Sequence, residues 1–190
     1  VRINPDIDAH THKYVTTGLY ENKFGISQHE FDKLIDILKK SEHINFIGLH
    51  FHIGSQITRV GEVFALECQR VNDIVAYFER NGLKVNNINL GGGLGVDYDD
   101  PDEGAIPDFE TWFRTISENI TRRDDQAVHV EPGRSLVAQC ATLISRVLFV
   151  KSGETKNFLI MDAGMNDLIR PALYGAYHKI ENLSAEQRTF

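Results

Sequence analysis

Apolar positions in this chain recur with two alternating rhythms, and the alternation predicts the fold. From Ser27 to Lys40, the residues Phe31, Leu34, Ile35 and Leu38 stand three and four apart, the spacing of one helical face, and Ser27 with Glu30 forms a capping box. Residues 46–53 are a short apolar run and read as a strand. A second helix spans about Glu62 to Arg80 through Phe64, Val71, Ile74, Val75 and Phe78, with Gly82 as its stop. A strand at 86–90 follows. Phe109, Trp112, Phe113, Ile116 and Ile120 then mark a helix near 108–122, and a strand is expected at 127–131. Strand and helix in strict alternation predict right-handed βαβ units on a parallel sheet.

The rhythm changes after Arg134. Ala141–Lys151 and Asn157–Met161 are two β-rich runs joined by Ser152-Gly153-Glu154-Thr155-Lys156, which predicts a hairpin. A boundary between an α/β barrel portion and a β portion is therefore expected around 134–142. Val1-Arg2-Ile3 and Ala176–Ile180 are also strand-like, so both ends look cut through structure and the chain reads as a piece of a longer protein.

Bulk composition narrows the function classes. A formal charge of −7 argues against nucleic acid, whose phosphates call for a clustered excess of Lys and Arg. No apolar run reaches the roughly 20 residues that cross a bilayer, and no signal peptide is seen. Cys68 and Cys140 have neither metal spacing nor a disulfide framework, which fits a reducing, cytoplasmic setting.

The three apolar strands end in chemically equipped residues, so each is expected to be buried and to open onto a ligand at its carboxyl end. His50 and His52 leave one face of the first strand. A metal pair, simple packing, and an imidazole lying on an aromatic ring all suit them. Gly91-Gly92-Gly93-Leu94-Gly95 lets backbone amides approach an anion. Val96 breaks the dinucleotide fingerprint and no P-loop lysine follows, which disfavours a dinucleotide or nucleoside triphosphate. Glu131-Pro132-Gly133-Arg134 places a carboxylate and a guanidinium at the third strand end, with a surface ion pair as the plain alternative. Ser55, the glycine amides and Arg134 suit a phosphate, leaving His52 to face a ring and Glu131 a ring nitrogen. A metal-dependent hydrolase built on His50, His52, His129 and Asp162 is the rival, and a non-catalytic relative is a second.

Five stretches together resemble the fold-type III pyridoxal-phosphate decarboxylases. They are Asn22–Ile26, Gly48–Gln56, Asn89–Gly95, Glu131–Ser135 and Met161–Tyr174, in the family's order. The resemblance implies an α/β fold, part of a TIM (β/α)8 barrel, with residues 1–138 as the later part of the pyridoxal-phosphate-binding barrel and 139–190 as the start of an incomplete C-terminal β domain. It implies pyridoxal 5'-phosphate as cofactor and a homodimer, with no metal. His52 would stack on the pyridine, Ser55 and the Gly92–Gly93 backbone would hold the phosphate, and Glu131 would pair with the ring nitrogen. His52 and Glu131 are the expected catalytic residues. Gly133 and Arg134 would line the cofactor, and Arg134, Arg170 and Tyr174 would hold a small-molecule amino-acid substrate.

Within the family the match is to the members that convert meso-2,6-diaminopimelate to L-lysine and CO2. Ornithine, arginine and carboxynorspermidine enzymes are the nearer alternatives. The family's Schiff-base lysine motif and its downstream Cys-Glu and Tyr motifs have no counterpart here. The chain alone is thus expected to have no turnover.

Overall fold

In the computed structural model, the described residues are 1–7, 24–102, 104 and 106–184. Asn22 and Lys23 of the first family-like stretch lie outside them. Two compact units are present, Val1–Val96 with Ala105–Ala138, and Asp97–Gly104 with Gln139–Phe190.

The first unit is built on a parallel sheet of β1 (Gly48–His50), β2 (Asn87–Asn89) and β3 (Ala127–His129), ordered as in sequence. Its register aligns Leu49 with Ile88 and Ile88 with Val128. Residues 1–3 run along the free edge of β1, with His50 N donating to Val1 O and Ile3 N to His50 O, both at 2.8 Å. Helices α1 (Phe31–Lys40), α2 (Val60–Arg80) and α3 (Phe109–Asn119) supply the cover.

Each helix buries most of the stripe its spacing predicts; the exception is Phe113 of α3, which is exposed, while Leu34, Phe109 and Ile120 are half-buried. Phe31, Ile35 and Leu38 of α1, Phe64, Val71, Ile74, Val75 and Phe78 of α2, and Trp112 and Ile116 of α3 are buried. Phe31 meets Phe78 edge-on at 5.2 Å and Phe64 meets Trp112 at 5.6 Å, tying the helices through rings. Burying one such side chain contributes roughly 1.5–3 kcal/mol. Leu49, Phe51, Ile53, Ile88 and Leu90 complete the core from the sheet side.

Several expectations change in detail. The strands are three residues long rather than five to eight, although single rungs continue beyond them, such as Phe51 N to Asn89 O at 2.7 Å. Beyond those rungs each strand departs into its own loop. β3 is not buried: Ala127 and His129 are exposed, because β3 is the sheet edge and has no neighbour beyond it. The capping box is not formed. Ser27 instead opens a 3-10 turn, Gln28–Glu30, through its backbone carbonyl, and its hydroxyl makes no cap. Asp108 does cap α3, its carboxylate accepting from Thr111 N at 2.9 Å.

The second unit carries an antiparallel hairpin of β4 (Val147–Ser152) and β5 (Asn157–Met161), aligned through Val150 and Leu159. The first strand starts six residues later than expected, and residues 176–180 form no strand. Val147, Leu148, Phe149 and Val150 are all exposed. Two strands alone cannot bury both of their faces. Asp162 ties off the hairpin by accepting from Ser145 Oγ and Arg146 N, each at 2.8 Å. A short helix α5 (Arg170–Tyr174) follows a four-residue turn, α4 (Arg134–Val137), of the first unit in chain order. Among the described residues, no helix is long and apolar enough to cross a membrane.

Candidate functional site

The carboxyl ends of β1, β2 and β3 interlock. Gly91 leaves β2 with φ +68°, and a Cβ there would collide with Phe51 O and the His52 ring, so only glycine lets the loop pass His52. Gly92 N then reaches His52 Nδ1 at 3.3 Å, while Gly92 itself packs on the Glu131 carbonyl. Gly93, at φ +104°, presses against Gly54 O, next to Ser55. Glu131 N closes the third side by donating to Gly91 O at 2.6 Å. Residues 52–55, 91–93 and 131 are therefore one packed rim.

The side chains on that rim are arranged by polar contacts. Glu131 Oε1 accepts from Asn89 Nδ2 at 2.8 Å, and His50 Nε2 lies 3.6 Å from Oε2, beyond hydrogen-bond range. Burial pushes both His50 and His52 below the ordinary histidine pKa, assisted by the Arg2 guanidinium and opposed by Glu131. Both imidazoles are neutral near pH 7. Arg134 Nη1 donates to Gln56 Oε1 at 2.9 Å, and Gln56 Nε2 donates to Val96 O at 2.5 Å. Gln56, itself held at φ +64°, thus joins the third strand end to the glycine loop.

His52, Ser55, Gly92, Gly93, Glu131 and Arg134 lie on the three strand ends of one unit. Gly133, before α4, is exposed, with nothing within 4 Å of where its Cβ would stand. Arg170 and Tyr174 meet in the second unit. There the Arg170 guanidinium lies 5.1 Å from the Tyr98 ring centre and 5.6 Å from that of Tyr174. His178 meets Tyr98 edge-on at 5.0 Å, and burial with the Arg170 charge lowers its pKa. The metal-hydrolase set is not assembled. His129 Nε2 pairs with Asn87 Oδ1 at 2.8 Å, Asp162 is committed to Ser145 and Arg146, and no described group of three ligands could hold a metal ion.

Sequence reasoning passed over Asn89, Gln56 and Tyr98 as functional positions. Asn89 did carry a signal, since Asn87 and Asn89 put two amides on one face of an otherwise apolar run. Gln56 and Tyr98 carried none beyond their nearness to motifs.

The donor set suits pyridoxal phosphate: a hydroxyl, glycine amides and a guanidinium for a phosphate, a carboxylate for a pyridinium, and a neutral imidazole for the ring face. Gly133 also leaves open the space that a side chain would fill, whereas Gly93 lets the loop pack directly on Gly54 O.

Comparison with known proteins agrees. The family described as pyridoxal-dependent decarboxylase, pyridoxal binding domain, matches residues 1–138. A diaminopimelate decarboxylase of Bacteroides thetaiotaomicron is 53% identical over 186 residues, covering 98% of this chain and 48% of that protein. One from Neisseria meningitidis serogroup A is 41% identical, covering 95% of this chain and 43% of its own length. The crystal structure of the Helicobacter pylori diaminopimelate decarboxylase complexed with L-lysine superimposes with a TM-score of 0.82 at 38% identity, over 97% of this chain and 45% of that one. A viral arginine decarboxylase shares the fold at a TM-score of 0.72 and 21% identity. The chain spans about half the length of the curated relatives it matches. By the match over residues 1–138 and the identity to these relatives, the chain belongs to the pyridoxal-dependent decarboxylases.

Proposed function

We propose that this chain is the central portion of a diaminopimelate decarboxylase, releasing CO2 from meso-2,6-diaminopimelate to give L-lysine. In this reading residues 1–138 are the later part of the cofactor-binding barrel and 139–190 the start of the β domain. The complete protein works as a cytoplasmic homodimer on a small amino-acid substrate. The observation that carries it is the joining of His52, the glycine loop and Glu131 on one rim.

Bound pyridoxal phosphate supplies an electron sink for the pair freed when CO2 leaves. The chain's own residues set the conditions. Glu131 holds the proton at the pyridine nitrogen, because a carboxylate beside that nitrogen favours its charged form. His52 covers the ring face as a neutral imidazole and so adds no positive charge of its own beside the pyridinium. Ser55, the Gly92–Gly93 amides and Arg134 hold the phosphate, while Gly133 keeps the approach open. Arg170, stacked on Tyr174, grips the second carboxylate, a group that ornithine lacks. None of the sequence's lysines stands in the family's Schiff-base motif, so the chain alone has no turnover.

The test is to supply the complete gene product with pyridoxal phosphate and, separately, meso-diaminopimelate, ornithine and arginine, measuring CO2 and amine product. Lysine formation with little product from the other two is expected. Preference for ornithine or arginine would refute the substrate assignment. Lysine formed by the 190-residue chain alone would refute its inactivity.

A further inference from the structure

We propose that Asn89 is the positioning residue for Glu131, and that its single amide locks that carboxylate to the glycine loop. The inference deepens the proposed function and rests on it for the role of Glu131, but not for the contact itself.

Asn89 ends β2, in register with His50 of β1 and His129 of β3. Its Oδ1 accepts from Gly91 N and its Nδ2 donates to Glu131 Oε1, both at 2.8 Å. Those two partners decide the orientation of the amide. A backbone N–H demands the oxygen, and an ionised carboxylate accepts only from the nitrogen. The same Gly91 receives the Glu131 backbone N–H on its carbonyl, so Gly91, Asn89 and Glu131 form a closed circuit of three hydrogen bonds.

The circuit matters because the Glu131 side chain is 55% exposed. A carboxylate that open to water has several rotamers within reach, and a fixed pairing with a ring nitrogen requires one of them to be held. Asn89 selects that rotamer from one oxygen, with His50 flanking the other at 3.6 Å. Because Asn89 also sets Gly91, displacement of the loop and displacement of the carboxylate are linked.

The substitutions N89D and N89A separate this role from loop bracing. N89D keeps the acceptor for Gly91 N but loses the donor to Glu131 and sets a second carboxylate against it. N89A loses both contacts. Two readouts serve in the complete gene product: pyridoxal phosphate uptake by equilibrium dialysis at pH 6 and pH 8, and thermal unfolding without cofactor at the same pH values.

At pH 8, N89D is expected to weaken uptake at least as much as N89A, by about tenfold, the scale of one lost hydrogen bond to a charged group. At pH 6 the crowded carboxylates share a proton, which restores a donor, so N89D recovers while N89A does not. Unfolding of N89D is likewise more pH-dependent than that of N89A, and N89D/E131Q removes that dependence by supplying the amide from the other side. N89D that matches the wild type at both pH values, with N89A impaired, would overturn the inference and leave Asn89 a brace for the loop. If the wild type takes up no cofactor, the proposed function fails, and the unfolding comparison still decides whether Asn89 orients Glu131.

Discussion

Glu67 sits in the middle of α2 with no exposed surface, on the helical face that also buries Phe64 and Val71, and neither carboxyl oxygen has a hydrogen-bond partner. Burial alone raises its pKa well above the ordinary value, which favours the neutral acid in the folded state. Replacing it with Met keeps a similar volume and good helix propensity while removing the stranded polar group. A buried unsatisfied polar group costs about 1–3 kcal/mol, so E67M should gain about that much. For a chain of this size each kcal/mol raises Tm by about 2–4 °C.

The gain should also depend on pH. Below the unfolded carboxyl pKa of about 4.3, both states hold the proton and pH has no effect. Above it the unfolded state ionises while the folded one does not, so wild-type stability falls by at most about 1.4 kcal/mol per pH unit until the folded pKa is reached. E67M escapes this loss, and its advantage over the wild type should widen from pH 4 to pH 7. Thermal and urea unfolding of both proteins across that range would measure it. An E67M protein less stable than the wild type, or an advantage unchanged by pH, would show that Glu67 is ionised and compensated in the fold.

Two further outcomes test the rim. Because folded His50 and His52 resist protonation, stability should fall as pH drops through the ordinary histidine pKa of about 6.5 toward their lowered values. The double substitution H50Q/H52Q should flatten that part of the unfolding profile, and an unchanged slope would contradict neutral imidazoles. G93A forces a side chain onto a backbone at φ +104° against Gly54 O. Strain of about 1–3 kcal/mol should cut pyridoxal phosphate uptake by roughly tenfold or more, with little change in helix content by circular dichroism. Normal uptake would separate the loop from the phosphate.

The three long helices and the order of the strands can be read directly along the chain. Phe31, Ile35 and Leu38, or Phe64, Val71 and Phe78, state their helical face by spacing alone, since a helix relates residues three and four apart. The five family-like stretches are equally local, which is why His52, Ser55, the glycines, Glu131 and Arg134 are legible in the amino-acid order alone.

What joins them is not. Asn89 meets Glu131 across 42 positions, and Arg134 meets Gln56 across 78. Such pairings depend on the register of neighbouring strands, and a slip of one residue would turn every side chain to the opposite face. Even the failed cap at Ser27 and the exposed β3 follow from this division. Local patterns name an element and its buried side, whereas packing decides where it stops, which edge stays open, and which distant amide holds a carboxylate in place.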